Sequence, residues 1–235
     1  DAANADAVYD RIAAALTRRE FRPRALFKQF NIEALATTDS PLDSLEHHRA
    51  IAASGWGGRV IPTFRPDPVT DPDFPGFRGN VARLGEITGE ETATWEGYLR
   101  ALAAARRFFK ELGATATDHG HPSACTADLD ASACRRLFGR ALAAELAAED
   151  VELFRGQMLT EMVRMSLDDD LVIQIHPGSR RNHNEALFHA FGPDKGADIP
   201  RRTDYVHALK PLLDRFGNER GLTVILFTLD EACYS

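Results

Sequence analysis

Five places along this chain put ionisable or hydrogen-bonding residues directly after a short apolar or β-branched run. They read Thr38-Asp39-Ser40, Arg65-Pro66-Asp67, Asp118-His119-Gly120-His121, His176 through Asn182 (HPGSRRN) and Asp230-Glu231. Arg65 could grip a carboxylate or phosphate with its planar guanidinium, or simply pair with Asp67 or Asp39. Asp118 suits a general acid or base, a metal ligand or a hydrogen-bond orienter, and equally a loop cap. His176, followed by Pro177 and Gly178, could polarise a carbonyl or hydroxyl, or bond a backbone carbonyl in the core. Arg180, Arg181, Asn182 and Asn184 add donors to the same loop. His119-Gly120-His121 is formally an HxH pair, which can seat a metal, but nothing next to it in sequence supplies a third ligand.

The segments before these clusters must position them. Ile32–Thr37, Arg59–Phe64, Ala114–Thr117, Leu171–Ile175 and Leu222–Thr228 are each short enough for a strand. Most are nearly continuous in apolar or β-forming character, the pattern of strands covered on both faces. Longer helical stretches separate them. Thr94 to Leu112 places Tyr98, Leu102, Ala105, Phe109 and Leu112 on one stripe, and Gly113 ends it. Asp43 and Glu46 have capping-box spacing. Ser132 to Leu167 reads as two helices broken near Ala148–Asp150, with its methionines in the core. Tyr205 to Phe216 reads as a helix kinked or restarted at Pro211. The pairs His47-His48 and Arg106-Arg107 fall on helices and are read as solvated. Pro66–Gly79 and Asn184–Arg202 are read as long loops, either lids or surface Ω-loops.

Strands alternating with helices imply a parallel sheet, as an open doubly wound sheet or a (β/α) barrel. The only glycine cluster, Gly55-Trp56-Gly57-Gly58, precedes a strand, whereas a dinucleotide site needs its glycines after one. In both architectures ligands sit at the carboxyl edge of the sheet, where the five clusters lie. No domain boundary is visible, so residues 1–235 are expected to form one domain.

Composition narrows the function. The chain has 235 residues and a formal charge of −7, from 28 basic and 35 acidic side chains. That balance argues against broad nucleic-acid or anionic-membrane binding, and leaves room for a small anion held by a few local cations. Of the basic residues, 24 are Arg, so Arg identity alone says little. Cys125, Cys134 and Cys233 form no CxxC pair and suit a reduced compartment, hence the cytoplasm. Both ends of the sequence read as cuts.

Several of these blocks together resemble one family. TTDSPLDSLEHH (37–48), PTFRPD (62–67), ATDHG (116–120) and QIHPGSRRN (174–182) are similar to uronate isomerases of the amidohydrolase superfamily, as are GPDKGAD (192–198) and LLDRFG (212–217). The resemblance implies an α/β fold of the distorted (β/α)8 TIM-barrel type, with about five βα units here, so residues 1–235 would be a partial barrel. It implies aldose–ketose isomerisation of hexuronates: D-glucuronate to D-fructuronate, or D-galacturonate to D-tagaturonate. By resemblance Asp118 and His176 are catalytic, and Arg65, Arg181 and Asn182 bind substrate. The family's first-strand HxH, a His-Tyr pair and a last-strand Asp taken as the catalytic base have no counterpart here. The match therefore covers roughly the middle half of the family's sequence. No metal ligand is assigned within this chain; a divalent ion such as zinc would have its main ligands outside it. No organic cofactor is implied. The expected partner is a small uronate, with no nucleic acid and no membrane, and a homo-oligomer is left open. Three other readings compete: a metal-dependent hydrolase on the same barrel, a non-catalytic sugar-acid binding module, and a structural piece that contributes only an assembly surface.

Overall fold

A computed structural model describes residues 4–234. In chain order its elements are α1 (Ala5–Leu16), α2 (Pro23–Gln29), β1 (Ala34–Asp39), α3 (Glu46–Ala53), β2 (Arg59–Phe64), α4 (Asp67–Thr70), α5 (Phe77–Thr88), α6 (Trp95–Glu111), β3 (Ala116–His119), α7 (Ala131–Ala143), α8 (Ala148–Asp169), β4 (Val172–Ile175), β5 (Ser179–Arg180), α9 (Glu185–Phe191), β6 (Ile199–Pro200), α10 (Tyr205–Ala208), α11 (Lys210–Phe216) and β7 (Val224–Leu226). The chain divides into two compact units: Asp1–Thr37 with Leu45–Ile61, and Thr38–Ser44 with Pro62–Ser235.

In the first unit, helices α1, α2 and α3 bury none of their residues fully. Phe27 meets Trp56 edge to face at 4.9 Å, and the Arg24 guanidinium lies 5.1 Å from the Trp56 ring. The expected start of α3 moves. Leu45 takes a left-handed φ of 51°, so the helix begins at Glu46 rather than just after Asp43. His48 is half-buried and bonds Thr37 Oγ1 at 2.7 Å, so only His47 of that pair is solvated.

Five strands form one sheet as expected, but two run further than the sequence suggested: β1 takes in Thr38 and Asp39, and β3 takes in Asp118 and His119. The sheet order is β1-β2-β3-β4-β7, and β2–β3, β3–β4 and β4–β7 pair in parallel. This is the α/β class expected, with helices between successive strands. Burial along β3 and β4 alternates. Phe64, Thr117, His119, Ile173 and Ile175 point to one face and are each at most 1% exposed. Asp118 and Gln174 point to the other face, which is only half covered. Strands covered equally on both faces were expected; among the described residues only one face is sealed.

Helix α6 seals it. Thr94 caps its first turn by accepting from the Gly97 N–H at 3.1 Å, and Tyr98, Leu102, Ala105 and Phe109 are buried at the expected spacing. Each large apolar side chain there contributes about 1.5–3 kcal/mol by leaving water. Phe109 packs edge to face on Phe64, and Tyr98 stacks on Phe138 of α7.

Four expectations are corrected. Arg106 is not solvated: it is fully buried, and its Nε and Nη2 bond the two carboxylate oxygens of Asp169 at 2.7 and 2.8 Å. Pro66–Gly79 is not one long loop, because α4 and the start of α5 occupy it. Asn184–Arg202 likewise contains α9 and β6, the latter paired with β5 from before the segment. The α7–α8 break falls at 144–147, before the expected place, with Ala144 in a left-handed conformation.

Candidate active site

The register of three strands builds the site. Phe64 pairs with Thr117, and Asp118 pairs with Gln174. Side chains alternate along a strand, so Arg65, Asp118, Gln174 and His176 all fall on the less covered face. Backbone bonds carry the register past the strand ends: Arg65 N–H donates to Asp39 O, and His176 N–H donates to His119 O at 3.0 Å. Residues 53 and 58 positions apart in sequence thereby meet at one edge.

The resulting contacts run in line through His176, Asp118, Arg65 and Asp67. His176 Nε2 lies 3.0 Å from Asp118 Oδ1, and Arg65 Nη1 lies 3.5 Å from Asp118 Oδ2. On its other side Arg65 donates from Nε to Asp67 Oδ2 at 2.8 Å. Asp67, nearly buried, also accepts from the Gly120 N–H at 3.2 Å through both carboxylate oxygens. Arg65 and His176 keep 32% and 22% side-chain exposure, enough for a ligand to reach them. The pairing of Arg65 with Asp67 is realised, and Arg65 also stands among the other strand-end groups.

Arg181 and Asn182 bond other partners. Arg181 Nη1 reaches Asp198 at 3.4 Å and Asp194 at 3.8 Å. The Asn182 N–H donates to Asp198, and its side-chain oxygen accepts from the Asp194 N–H. These bonds hold the loop after β4 and do not join the Arg65–Asp118–His176 group. Asn184 caps α9 by accepting from the Leu187 N–H. Asp230 is spent locally: it accepts from the Thr203 and Ala232 N–H groups, the first of which most strongly holds its carboxyl below the usual range.

His119 belongs to the sealed face. Its Nε2 meets Thr117 Oγ1 at 2.9 Å, its Nδ1 has no hydrogen-bond partner, and burial drives its pKa well below that of a free imidazole. His121 is also buried, with neither ring nitrogen bonded. Burial lowers its pKa too, while the carboxylates of Asp67 and Asp71 work against that shift. The two rings are 6.1 Å apart between centroids. Among the described residues no three His, Cys, Asp or Glu side chains are grouped to hold a metal ion. The side chains present do not fit a metal site by themselves.

Two supports were not legible in sequence. Asp67 was visible only as a competitor for Arg65, although its i+2 spacing in FRPD is the available signal. Gly120 carries a geometric role: a Cβ there would lie 2.3 Å from Arg65 Nη2, 2.8 Å from Asp67 Oδ2 and 3.0 Å from His176 Cε1. A cleft of about 310 Å³ is lined by Pro122, Ser123, Pro177, Gly178, Arg202 and His207 among others, but not by Arg65, Asp118 or His176. A larger cavity of about 1020 Å³, lined by residues such as Phe77, Glu90 and Ala141, contains none of the strand-end cluster.

Comparison with known proteins agrees along the whole chain. The family model for glucuronate isomerase matches residues 1–235. A uronate isomerase of Phenylobacterium zucineum (strain HLK1) is 61% identical over 234 residues, covering 100% of this chain and 49% of the relative. One from Rhizorhabdus wittichii is 62% identical over 231 residues, covering 98% of this chain and 50% of the relative. The crystal structure of glucuronate isomerase from Caulobacter crescentus superposes with a TM-score of 0.94 at 54% identity, covering 100% of this chain and 49% of that one. The chain thus spans about half the length of the relatives it matches.

Proposed function

Because this chain belongs to the glucuronate isomerase family, we propose that the protein it represents interconverts aldose and ketose hexuronates, D-glucuronate with D-fructuronate or D-galacturonate with D-tagaturonate. The observation that carries this reading is the meeting of Arg65, Asp118 and His176 at the carboxyl edge of adjacent parallel strands. Isomerisation moves a hydrogen between C2 and C1 through an enediol. It needs a base near C2, donors for the oxygen that gains charge, and an anchor for the distant carboxylate.

Arg65 supplies the anchor, gripping the substrate carboxylate or a hydroxyl with the N–H groups that Asp67 leaves available. His176 and Asp118, already within hydrogen-bonding distance of each other, orient sugar hydroxyls and pass protons between oxygens. Arg181 and Asn182 contribute further donors from the loop after β4. The base at C2 is an Asp outside this chain, as the family resemblance implies, and no step here is routed through a metal. Family membership favours isomerisation over the metal-dependent hydrolase and over the non-catalytic binding module. No described helix is long and apolar enough to cross a membrane. The free cysteines fit a cytoplasmic setting, and the small uronate is the partner we assign.

Steady-state kinetics of the complete protein test this reading. Arg65→Ala and His176→Ala should each lower kcat/KM by about 10²-fold or more, as lost charge-assisted positioning does. Kinetics near wild type for both variants would contradict the assignment.

A further inference from the structure

We propose that Asp67 is the positioning residue of this site: it fixes the direction of the Arg65 guanidinium and acts on the substrate only through it. This deepens the reading above and rests on Arg65 meeting the substrate. An arginine one-third exposed has several free torsions, and ordering them costs entropy that a substrate would otherwise have to offset. Asp67 removes that freedom in advance. The shortest contact Arg65 makes, 2.8 Å from Nε, goes to Asp67 Oδ2; the contact to Asp118 is longer, at 3.5 Å. Anchoring at Nε fixes the plane of the guanidinium, with Nη1 on the side of Asp118.

Asp67 is itself held on two sides. The Gly120 N–H at the end of β3 donates to both of its oxygens. Its backbone opens α4, where its carbonyl accepts from the Asp71 N–H at 3.0 Å. Asp71 in turn is gripped by Arg155 of α8, which donates to it from Nε at 2.8 Å and to Asp73 from Nη2 at 2.6 Å. The carboxylate is thus fastened to β3 through Gly120, and the backbone that carries it to α8 through Asp71. Gly120 has no side chain where Arg65, Asp67 and His176 converge, so the anchoring amide can come this close.

A double-mutant cycle in the complete protein tests the claim, with wild type, Arg65→Ala, Asp67→Ala and the double variant assayed on D-glucuronate. Asp67→Ala alone should lower kcat/KM by about tenfold or more, while in the Arg65→Ala background it should change kcat/KM by less than about twofold, because nothing is left for it to orient. Asp67→Asn keeps the volume and one acceptor for Arg65, so it should retain more activity than Asp67→Ala and guards against a variant that fails to fold. Equal losses from Asp67→Ala with and without Arg65 would overturn the proposal, as would unchanged activity of Asp67→Ala.

A second readout does not depend on turnover. The Arg65 Nε–H resonance, assigned by its loss in Arg65→Lys, should be protected from solvent exchange in wild type and exchange faster in Asp67→Ala. Unchanged protection would overturn the positioning role whatever the substrate. Wild-type kinetics in Arg65→Ala together with lost protection in Asp67→Ala would instead refute the substrate-binding role of Arg65.

Discussion

Replacing Gly120 with alanine probes the site at its most crowded point. The added Cβ would stand 2.3 Å from Arg65 Nη2, where ordinary contact begins near 3.4 Å. Arg65 would have to retreat by about 1 Å, and the Asp67 oxygen and the His176 ring, at 2.8 and 3.0 Å, would have to yield by smaller amounts. The crowded atoms are mostly the ends of side chains, and Gly120 does not need a left-handed backbone, so the fold should survive with little loss of stability. Catalysis should not survive as well. Displacing a substrate-holding group by about 1 Å can cost about 10²-fold in rate. Gly120→Ala should therefore lower kcat/KM on D-glucuronate by about 10²-fold, while the thermal midpoint stays within a few degrees of wild type. Activity within about threefold of wild type would show that Arg65 need not hold the position described, and the geometric argument would fail.

Other consequences reach beyond the catalytic edge. Arg106→Ala strands the Asp169 carboxylate and removes the bond to Ser166 on α8. Such losses cost 3–5 kcal/mol when both groups are buried, and partial exposure of Asp169 brings the expectation to about 3 kcal/mol by urea unfolding; a change under about 1 kcal/mol would contradict the bridging role. The pH dependence of stability follows from His119. Burial holds its folded pKa well below the ordinary imidazole value of about 6.5, so the unfolded chain binds more protons once pH falls below that value. Stability should be full above about pH 6.5 and decline on acidification, with this residue contributing at most about 1.4 kcal/mol per pH unit. His119→Gln should flatten that decline, and an identical slope in the variant would refute the assignment. Arg181→Ala should raise KM by up to about tenfold with little change in kcat, because it removes a donor from the loop without disturbing the Asp118–His176 contact; an equal loss confined to kcat would place Arg181 at the reacting atoms instead.

What the sequence disclosed follows the physics of each element. The strands were legible because short apolar runs ending in polar residues have few other uses, and Arg59–Phe64 matches its observed strand from end to end. The candidate site was legible for a related reason: in a parallel sheet, residues at or just past the strand ends share an edge wherever they lie in sequence, although Asp118 proved to be the third residue of β3 and not part of the following loop. Segment 66–79 misled because Pro66, Pro68, Pro72 and Pro75 look like loop punctuation. Yet Pro68 is tolerated in the first turn of α4, and Phe77, Val81 and Leu84 bury one face of α5. Arg106 and Arg107 looked alike, but neighbours on a helix point about 100° apart, so one entered the core and the other stayed in water. The Asp67–Gly120 contact joins positions 53 apart and leaves no local pattern in sequence.

The most direct measurement is a crystal structure of the complete protein with a hexuronate reduced at C1, which keeps the carboxylate and hydroxyls but cannot isomerise. The account places the ligand at the carboxyl edge of β2, β3 and β4, with an oxygen within about 3 Å of an Arg65 Nη and another within reach of His176 or Asp118. A ligand seated in the cavity beside Phe77 and Ala141, with Arg65 and His176 still facing solvent, would contradict it.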